Sequence, residues 1–195
     1  MLSFKEVGRV SKYIGSTYQT FFAELDCTVA LVEQEMEEHR HLAFRSRIAK
    51  IFVHLRKTKA DTGFLAISDA MSRHGMDPSM LIGILDSNRS ILFQDEALSE
   101  RWLKTKLSDN DALVIADHVD VKSYFSLFLE LGLPPKTVDD FDDNYRNKKT
   151  RVKITALLKA LIKETKPRPT VNALLLAMRE CDMDTESVIR ALKPS

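Results

Sequence analysis

The histidines and cysteines are the first residues to test for chemistry. Glu38-His39-Arg40-His41 holds the one closely spaced histidine pair. Histidines at i and i+2 point to different faces of a helix. No second ligand group accompanies them, so a solvated helix end is expected there and a metal is not. Cys27 and Cys181 lie far apart. A catalytic thiol needs a base and an electropositive setting, and neither is legible beside them. The chain has no G-x-G-x-x-G or G-x-x-x-x-G-K-[ST] phosphate loop, no G-x-S-x-G elbow and no H-E-x-x-H pair. The expectation is a protein without catalysis and without a cofactor.

Charge is the informative chemistry. Asp139, Asp140, Asp142 and Asp143 form an acidic block, and Arg146, Lys148, Lys149, Arg151 and Lys153 follow it. Earlier in the chain Glu33, Glu35, Glu37 and Glu38 precede Arg40, Arg45, Arg47 and Lys50. Acid followed by base over about twenty residues is often just a pair of solvated faces. It also fits an acidic surface on one molecule meeting a basic surface on the next, a contact that orients more than it adds raw affinity. Head-to-tail contacts of that kind build rings or helical filaments.

Overall charge narrows the partners. The 195 residues carry 29 Lys and Arg against 28 Asp and Glu. That balance lacks the positive excess of a non-specific nucleic-acid binder. The first ten residues, MLSFKEVGRV, carry charges where a signal peptide has an apolar run. The longest uninterrupted apolar run, Ala173 to Met178, is far shorter than the roughly 20 residues that cross a bilayer. Two unmatched cysteines suit a reducing compartment. The expected location is cytoplasmic, with no nucleic acid and no membrane span.

The elements that must position the charges come in duplicate. MSRHGMDPSMLIGIL, Met71 to Leu85, returns as MRECDMDTESVIRAL, Met178 to Leu192, 107 residues later. Phe22, Glu24 and Leu25 return as Phe128, Glu130 and Leu131. Ile48, Ile51, Phe52 and Leu55 match Ile154, Leu157, Leu158 and Leu161, both at i, i+3, i+4, i+7. One inserted residue after Leu55 and Leu161 reconciles the two offsets. A solenoid unit runs roughly 20–50 residues, so this period is one small domain used twice.

Every strong pattern is helical, and six helices are expected per repeat. In the first they are Ser3–Ile14, Thr17–Leu25, Thr28–His39, Leu42–Arg56, Thr62–His74 and Pro78–Leu85. In the second they are Asp109–His118, Lys122–Leu131, Pro135–Tyr145, Lys149–Lys163, Thr170–Cys181 and Thr185–Leu192. Ser108, Asp77 and Asp184 are helix caps, Pro135 opens a first turn, and Pro167 and Pro169 break the chain before the fifth helix. Gly15 and Gly132 are expected as C-terminal capping glycines. In the third helix, Val29, Val32 and Met36 space like Val138, Phe141 and Tyr145, which needs a local shift of a few residues. The paired methionines, Met71 with Met76 and Met178 with Met183, read as core at helical spacing. The division expected is 1–86, a docked and partly helical apolar linker 87–107 around Leu98 and Trp102, and 108–195.

Six short helices in about 90 residues, with an acidic third helix, resemble a death-fold domain. The second repeat carries the sharper likeness. Leu129-Glu130-Leu131-Gly132-Leu133 with Val138 and Tyr145 is similar to the helix 2 to helix 3 segment of death domains. Arg151-Val152, Thr170-Val171, Leu174 to Met178 and Arg179-Glu180-Cys181-Asp182-Met183 resemble the helix 4 to helix 6 run. The tryptophans common in helices 2 and 4 of that family are absent; Tyr124 and Leu161 lie nearby. The first repeat lacks the Arg-x-Asp-Leu-Leu signature of death effector domains.

The resemblance implies an all-α fold of two tandem six-helix antiparallel bundles. It implies no catalysis. It implies an adaptor or regulator of apoptosis or innate immunity that assembles with other death-fold proteins or with itself into helical oligomers. The acidic surface carried over is Asp139, Asp140, Asp142 and Asp143, and the basic counterpart is Arg146, Lys148, Lys149 and Arg151. The helix 5–6 turn, Asp182 and Asp184, is a further contact. The alternative is a helical scaffold that holds a linear peptide in a groove without polymerising.

Overall fold

The computed structural model describes residues 2–58, 63–85 and 104–192, the side chains of Ile82 and Leu85 excepted. The described residues are all-helical. They contain no strand, only an isolated antiparallel bridge between Lys106 and Thr170. The chain divides into two compact units, Met1–Arg89 and Ser90–Ser195. The docking and helicity expected for linker residues 87–103, Trp102 among them, lie outside the described residues.

In the first unit the helices are α1 (Phe4–Val10), α2 (Tyr18–Glu24), α3 (Val29–Glu38), α4 (Phe44–Thr58), α5 (Phe64–Arg73) and α6 (Ser79–Leu85). In the second they are α7 (Asp109–Ile115), α8 (Tyr124–Glu130), α9 (Pro135–Asn144), α10 (Thr150–Glu164), α11 (Val171–Glu180) and α12 (Glu186–Leu192). Each helix has the same length as its counterpart: 7, 7, 10, 15, 10 and 7 residues in chain order. The main packing pairs also recur. Within each unit the first helix packs on the fourth and the sixth, the third on the fourth and the second, and the second on the fifth.

The core explains why these helices hold. Ile48, Ile51, Phe52 and Leu55 on α4 are all buried, and so are Ile154, Leu157, Leu158 and Leu161 on α10. Around Phe52 the first unit places Phe21 and Phe22 edge to face, with ring centroids 6.0 and 4.9 Å away. Val32 and Val138 are both fully buried. They are equivalent at the offset that α2 and α4 already share, so the third helix needs no local shift. The expected match of Val29 with Val138 is overturned, because Val29 is 51% exposed.

The ends of the helices repeat as well. Ser3 and Glu6 close a capping box on α1, and Ser108 and Asp111 close the same box on α7. Four described residues have positive φ: Asp26 at 58°, Gly75 at 68°, Gly132 at 87° and Asp182 at 56°. They form two equivalent pairs, after the second helix and after the fifth, with glycine and aspartate exchanged between units. The next amide reaches back across each left-handed residue: Cys27 to Phe22 at 2.9 Å, Leu133 to Phe128 at 2.9 Å, Met76 to Met71 at 2.9 Å and Met183 to Met178 at 3.0 Å. This is the six-to-one bond of a Schellman cap. The paired methionines therefore bracket a helix terminus; they do not lie along one helix face.

Gly15 is not a capping glycine. α1 stops at Val10, and Ser11 caps it in right-handed conformation. The Ser11 hydroxyl donates to the Val7 carbonyl at 2.7 Å, and the amides of Lys12 and Tyr13 bond back to Arg9 and Val10. Tight turns satisfy the last carbonyls before the chain reaches Gly15.

Candidate interaction surface

The sequence placed two charge blocks on the third and fourth helices of each unit, and the fold divides each block into an inner and an outer part. On α9 the face of Val138 is buried. Asp142 shares that side and is only 24% exposed. Tyr124 of α8 is buried, and its hydroxyl donates to Asp142 Oδ2 at 2.5 Å. Lys153 of α10 completes the set. Its ammonium donates to the Tyr124 hydroxyl at 3.2 Å, lies 4.4 Å from the Tyr124 ring centroid and sits 3.0 Å from Asp142 Oδ1. Burial, then the hydrogen bond to Asp142, then the charges of Asp142 and Asp139, hold the Tyr124 phenol well above its ordinary pKa. It stays a neutral donor, and Asp142 is spent on joining α8, α9 and α10.

The outer part of the second unit is different. Asp140 and Asp143, three residues apart on one face of α9, are exposed. Asp139 is half-buried. Arg146, Lys148 and Lys149, in the turn from α9 to α10, are all exposed. Arg151 is exposed but paired: its Nε lies 2.7 Å from Asp117 Oδ1, just beyond α7. An exposed pair of this kind contributes about 0–1 kcal/mol. The second unit thus carries an acidic helix face and a cationic turn at its end, both facing solvent.

The first unit divides its block: Glu35, Arg45 and Arg47 are held within the unit, and Glu33, Glu37, Glu38 and Arg40 are exposed. Glu35 on α3 has a side chain only 12% exposed and takes His54 Nδ1 of α4 at 2.8 Å and His39 Nε2 at 3.4 Å. Burial works to raise its pKa, but the hydrogen bonds and charges of His39 and His54 outweigh that and hold the carboxyl below its ordinary value. Glu37 pairs with Arg40 at 3.0 Å, i to i+3. Arg45 donates from Nε to the Gly8 carbonyl of α1 at 3.0 Å. Arg47 is half-buried beside the Phe44 ring, 5.7 Å from its centroid. Glu33 and Glu38 are exposed, Glu33 lying 3.5 Å from Gln19 Nε2. Arg45 and Arg47, expected as basic contacts, are thus turned to ties within the unit.

The helix 5–6 turn also has internal work. Asp184 accepts the Glu186 amide at 2.9 Å, and Asp77 accepts the Ser79 amide at the same distance. Both carboxyls are held below their ordinary pKa. For Asp184 the main cause is the Glu186 amide; for Asp77 it is the Ser79 hydroxyl. Asp182 is the left-handed cap residue, and both aspartates remain exposed.

The sequence reading missed three members of these networks. Tyr124 stood out only as lying near a family tryptophan position, Lys153 only as the tail of a charge run, and His54 not at all. No spacing joins residues that come from two or three different helices.

Among the described residues no group of three or more His, Cys, Asp or Glu has metal-holding geometry. No described helix is long and apolar enough to cross a membrane. Comparison of the chain with protein-family models, with curated proteins and with solved structures finds no match.

Proposed function

We propose that this chain is a non-enzymatic adaptor built from two death-fold six-helix bundles, acting through homotypic, head-to-tail contacts in cytoplasmic apoptotic or innate immune signalling. The tandem reading is supported by the helices of residues 4–85 and 109–192, whose lengths, main pairings and Schellman caps recur between the two units. The family reading rests on the residues of the second repeat alone. The observation that carries the function is the outer surface of the second unit: exposed Asp140 and Asp143 on α9, and exposed Arg146, Lys148 and Lys149 at its end. Opposite charges on separate patches of one unit are complementary between two molecules. The partner is another death-fold domain, in a receptor, an adaptor, an effector or a second copy of this chain.

The test is light scattering of the purified chain across concentration and salt, together with binding to candidate death-fold domains. Asp140→Lys with Asp143→Lys should abolish assembly and leave the melting temperature unchanged, since exposed substitutions usually change stability by less than about 0.5 kcal/mol. Lys148→Glu with Lys149→Glu should fail in the same way. A mixture of the two variants should regain a contact, because each keeps one good surface. Asp142 and Arg151 are poor probes, because both are engaged within the unit. Assembly that is indifferent to both double variants and to 1 M salt, where the Debye length is about 3 Å, would overturn the reading.

A further inference from the structure

The second unit gathers cations at the C-terminal end of α10. Lys159 and Lys163 lie four residues apart on one face of that helix, and both are exposed. Lys166 and Arg168, between α10 and α11, are exposed as well. The segment before α7 adds Lys104 and Lys106, also exposed. It is tied to the start of α11: Lys106 bridges Thr170, the Leu107 amide donates to the Pro169 carbonyl at 3.0 Å, and the Val171 amide donates to the Thr105 carbonyl at 3.0 Å. Side chains alternate along an extended chain, so Leu107 and Pro169 are buried while Lys106 and Arg168 face solvent as diagonal neighbours. Residues 104–107 and 159–170 thus hold six cations against one carboxylate, Glu164. Among the described residues none of the six makes an ion pair.

This arrangement is unfavourable in the free chain. Like charges four apart on a helix repel, and so do like charges on paired extended segments. The dipole of α10 favours a cation in its last turn, Lys163, and fades beyond that turn. The repeat does not account for the cluster either, since Val53 stands at the place of Lys159 in the first unit and is buried. A layer of negative charge over the patch would relieve the repulsion. Its kind follows from what the patch lacks. A phosphate cradle needs free amides, but those of Val171, Ala173 and Leu174 are taken by Thr105 and Thr170. No aromatic side chain lies in either stretch to stack on a base. No large apolar side chain is exposed there to anchor a protein, and lysine, five of the six cations, is depleted at protein interfaces. What remains is a set of point charges on flexible stems, which suits a broad anionic layer that can rearrange to meet them.

We propose that this end of the second unit docks on an anionic lipid bilayer, with the six cations set against its headgroups. Clusters of about four to eight Lys and Arg are drawn to anionic leaflets. The attraction acts within a Debye length, roughly 8 Å at physiological salt, so the near-neutral balance of the whole chain does not cancel it. With no large apolar side chain exposed to insert, the contact is peripheral and reversible. The turn carrying Arg146, Lys148 and Lys149 lies at the other end of the 15-residue α10, about 20 Å away. Docking therefore does not rest on the adaptor reading, and its failure would leave salt-dependent assembly through that turn untouched.

The experiment floats the full chain with vesicles of phosphatidylcholine alone, or of phosphatidylcholine with about one-third phosphatidylserine. The chain should rise with the anionic vesicles at about 0.1 M salt, stay behind with the neutral ones, and be released at about 1 M salt. Lys163→Gln with Arg168→Gln should weaken the binding about thirtyfold. Lys122→Gln with Lys136→Gln removes the same charge elsewhere in the unit and should leave the binding within about twofold. All four residues are exposed, so the melt of either variant should match wild type. Three results would overturn the proposal: no more recovery with anionic than with neutral vesicles, equal losses in the two double variants, or tighter binding to a DNA duplex or to polyglutamate than to anionic vesicles. The second would mean that net charge acts and not the patch. The third would give the patch to a nucleic acid or to an acidic protein.

Discussion

The third and fourth helices of the two units have equal lengths and a fully buried valine at the same position, yet different chemistry joins them. In the first unit Glu35 of α3 reaches His54 of α4 and takes His39 from its own helix. In the second unit the residues equivalent to Glu35 and His39 are Phe141 and Tyr145, whose rings stack 5.6 Å apart at 4°. The polar tie moves one residue along, to Asp142, and recruits Tyr124 and Lys153. Lys153 is itself equivalent to Arg47, which lies beside Phe44. Helix length, apolar anchors and caps are held in common, while the polar seam differs. Which charges remain for a partner follows from the seam: the second unit leaves a turn of three exposed cations, and the first turns two arginines inward.

The shared part should give the largest effect when broken. Leu158 is fully buried and Phe52 is 3% exposed at the equivalent place. Leu158→Ala should cost about 2–5 kcal/mol and Phe52→Ala about 3–5 kcal/mol. In small domains of marginal stability that is a large share of the total. Calorimetry should show each substitution lowering the transition of its own unit. An unchanged melt for Leu158→Ala would mean that α10 does not bury this face.

The unshared part should give a smaller and one-sided effect. Tyr124→Phe removes the hydroxyl that donates to Asp142 and accepts from Lys153, and keeps the ring under the ammonium. Hydrogen bonds to charged groups contribute about 1.5–3 kcal/mol, so the second unit should lose about that much. Tyr18, the equivalent residue, packs edge-on against Phe44, ring centroids 5.6 Å apart. No hydrogen bond from its hydroxyl is part of the first unit's seam, so Tyr18→Phe should leave that unit within about 0.5 kcal/mol. Equal losses in both variants would show that the two seams are held alike.

What the sequence disclosed follows the same division. The i, i+3, i+4, i+7 anchors of α4 and α10 were legible because burial imposes a helical period on residue type. The caps at Ser108, Asp77 and Asp184 were legible because they depend on neighbours in sequence. The third-helix register was not, because Val29 and Phe141 offered an apolar spacing as good as the true one through Val32 and Val138. The methionine pairs were seen and misread: five residues span a Schellman cap as well as they span helix turns. The seams were invisible, because Tyr124, Asp142 and Lys153 meet only in three dimensions. For the same reason the site reading took Asp142, Arg45 and Arg47 for surface contacts.

The exchange of glycine and aspartate at the left-handed caps supports the finest comparison. Residues with a Cβ are confined near φ of about 50–70° in that region, and aspartate tolerates it better than most. Gly75, at 68°, lies within that window; Gly132, at 87°, lies outside it. An added Cβ meets no atom within 4 Å at either site, so only backbone strain distinguishes them. A side chain at either positive φ is strained, but Gly75→Asp should cost the first unit only about 1 kcal/mol, the lower end of the left-handed penalty, because the aspartate of the equivalent cap, Asp182, holds 56° in the other unit. Gly132→Asp should cost the second unit about 2 kcal/mol, the upper end of that penalty. Chemical denaturation of the two variants against wild type measures the difference. If Gly132→Asp is as mild as Gly75→Asp, the cap relaxes toward 58°, the angle at Asp26, and the two second-helix caps are interchangeable in conformation as well as in position.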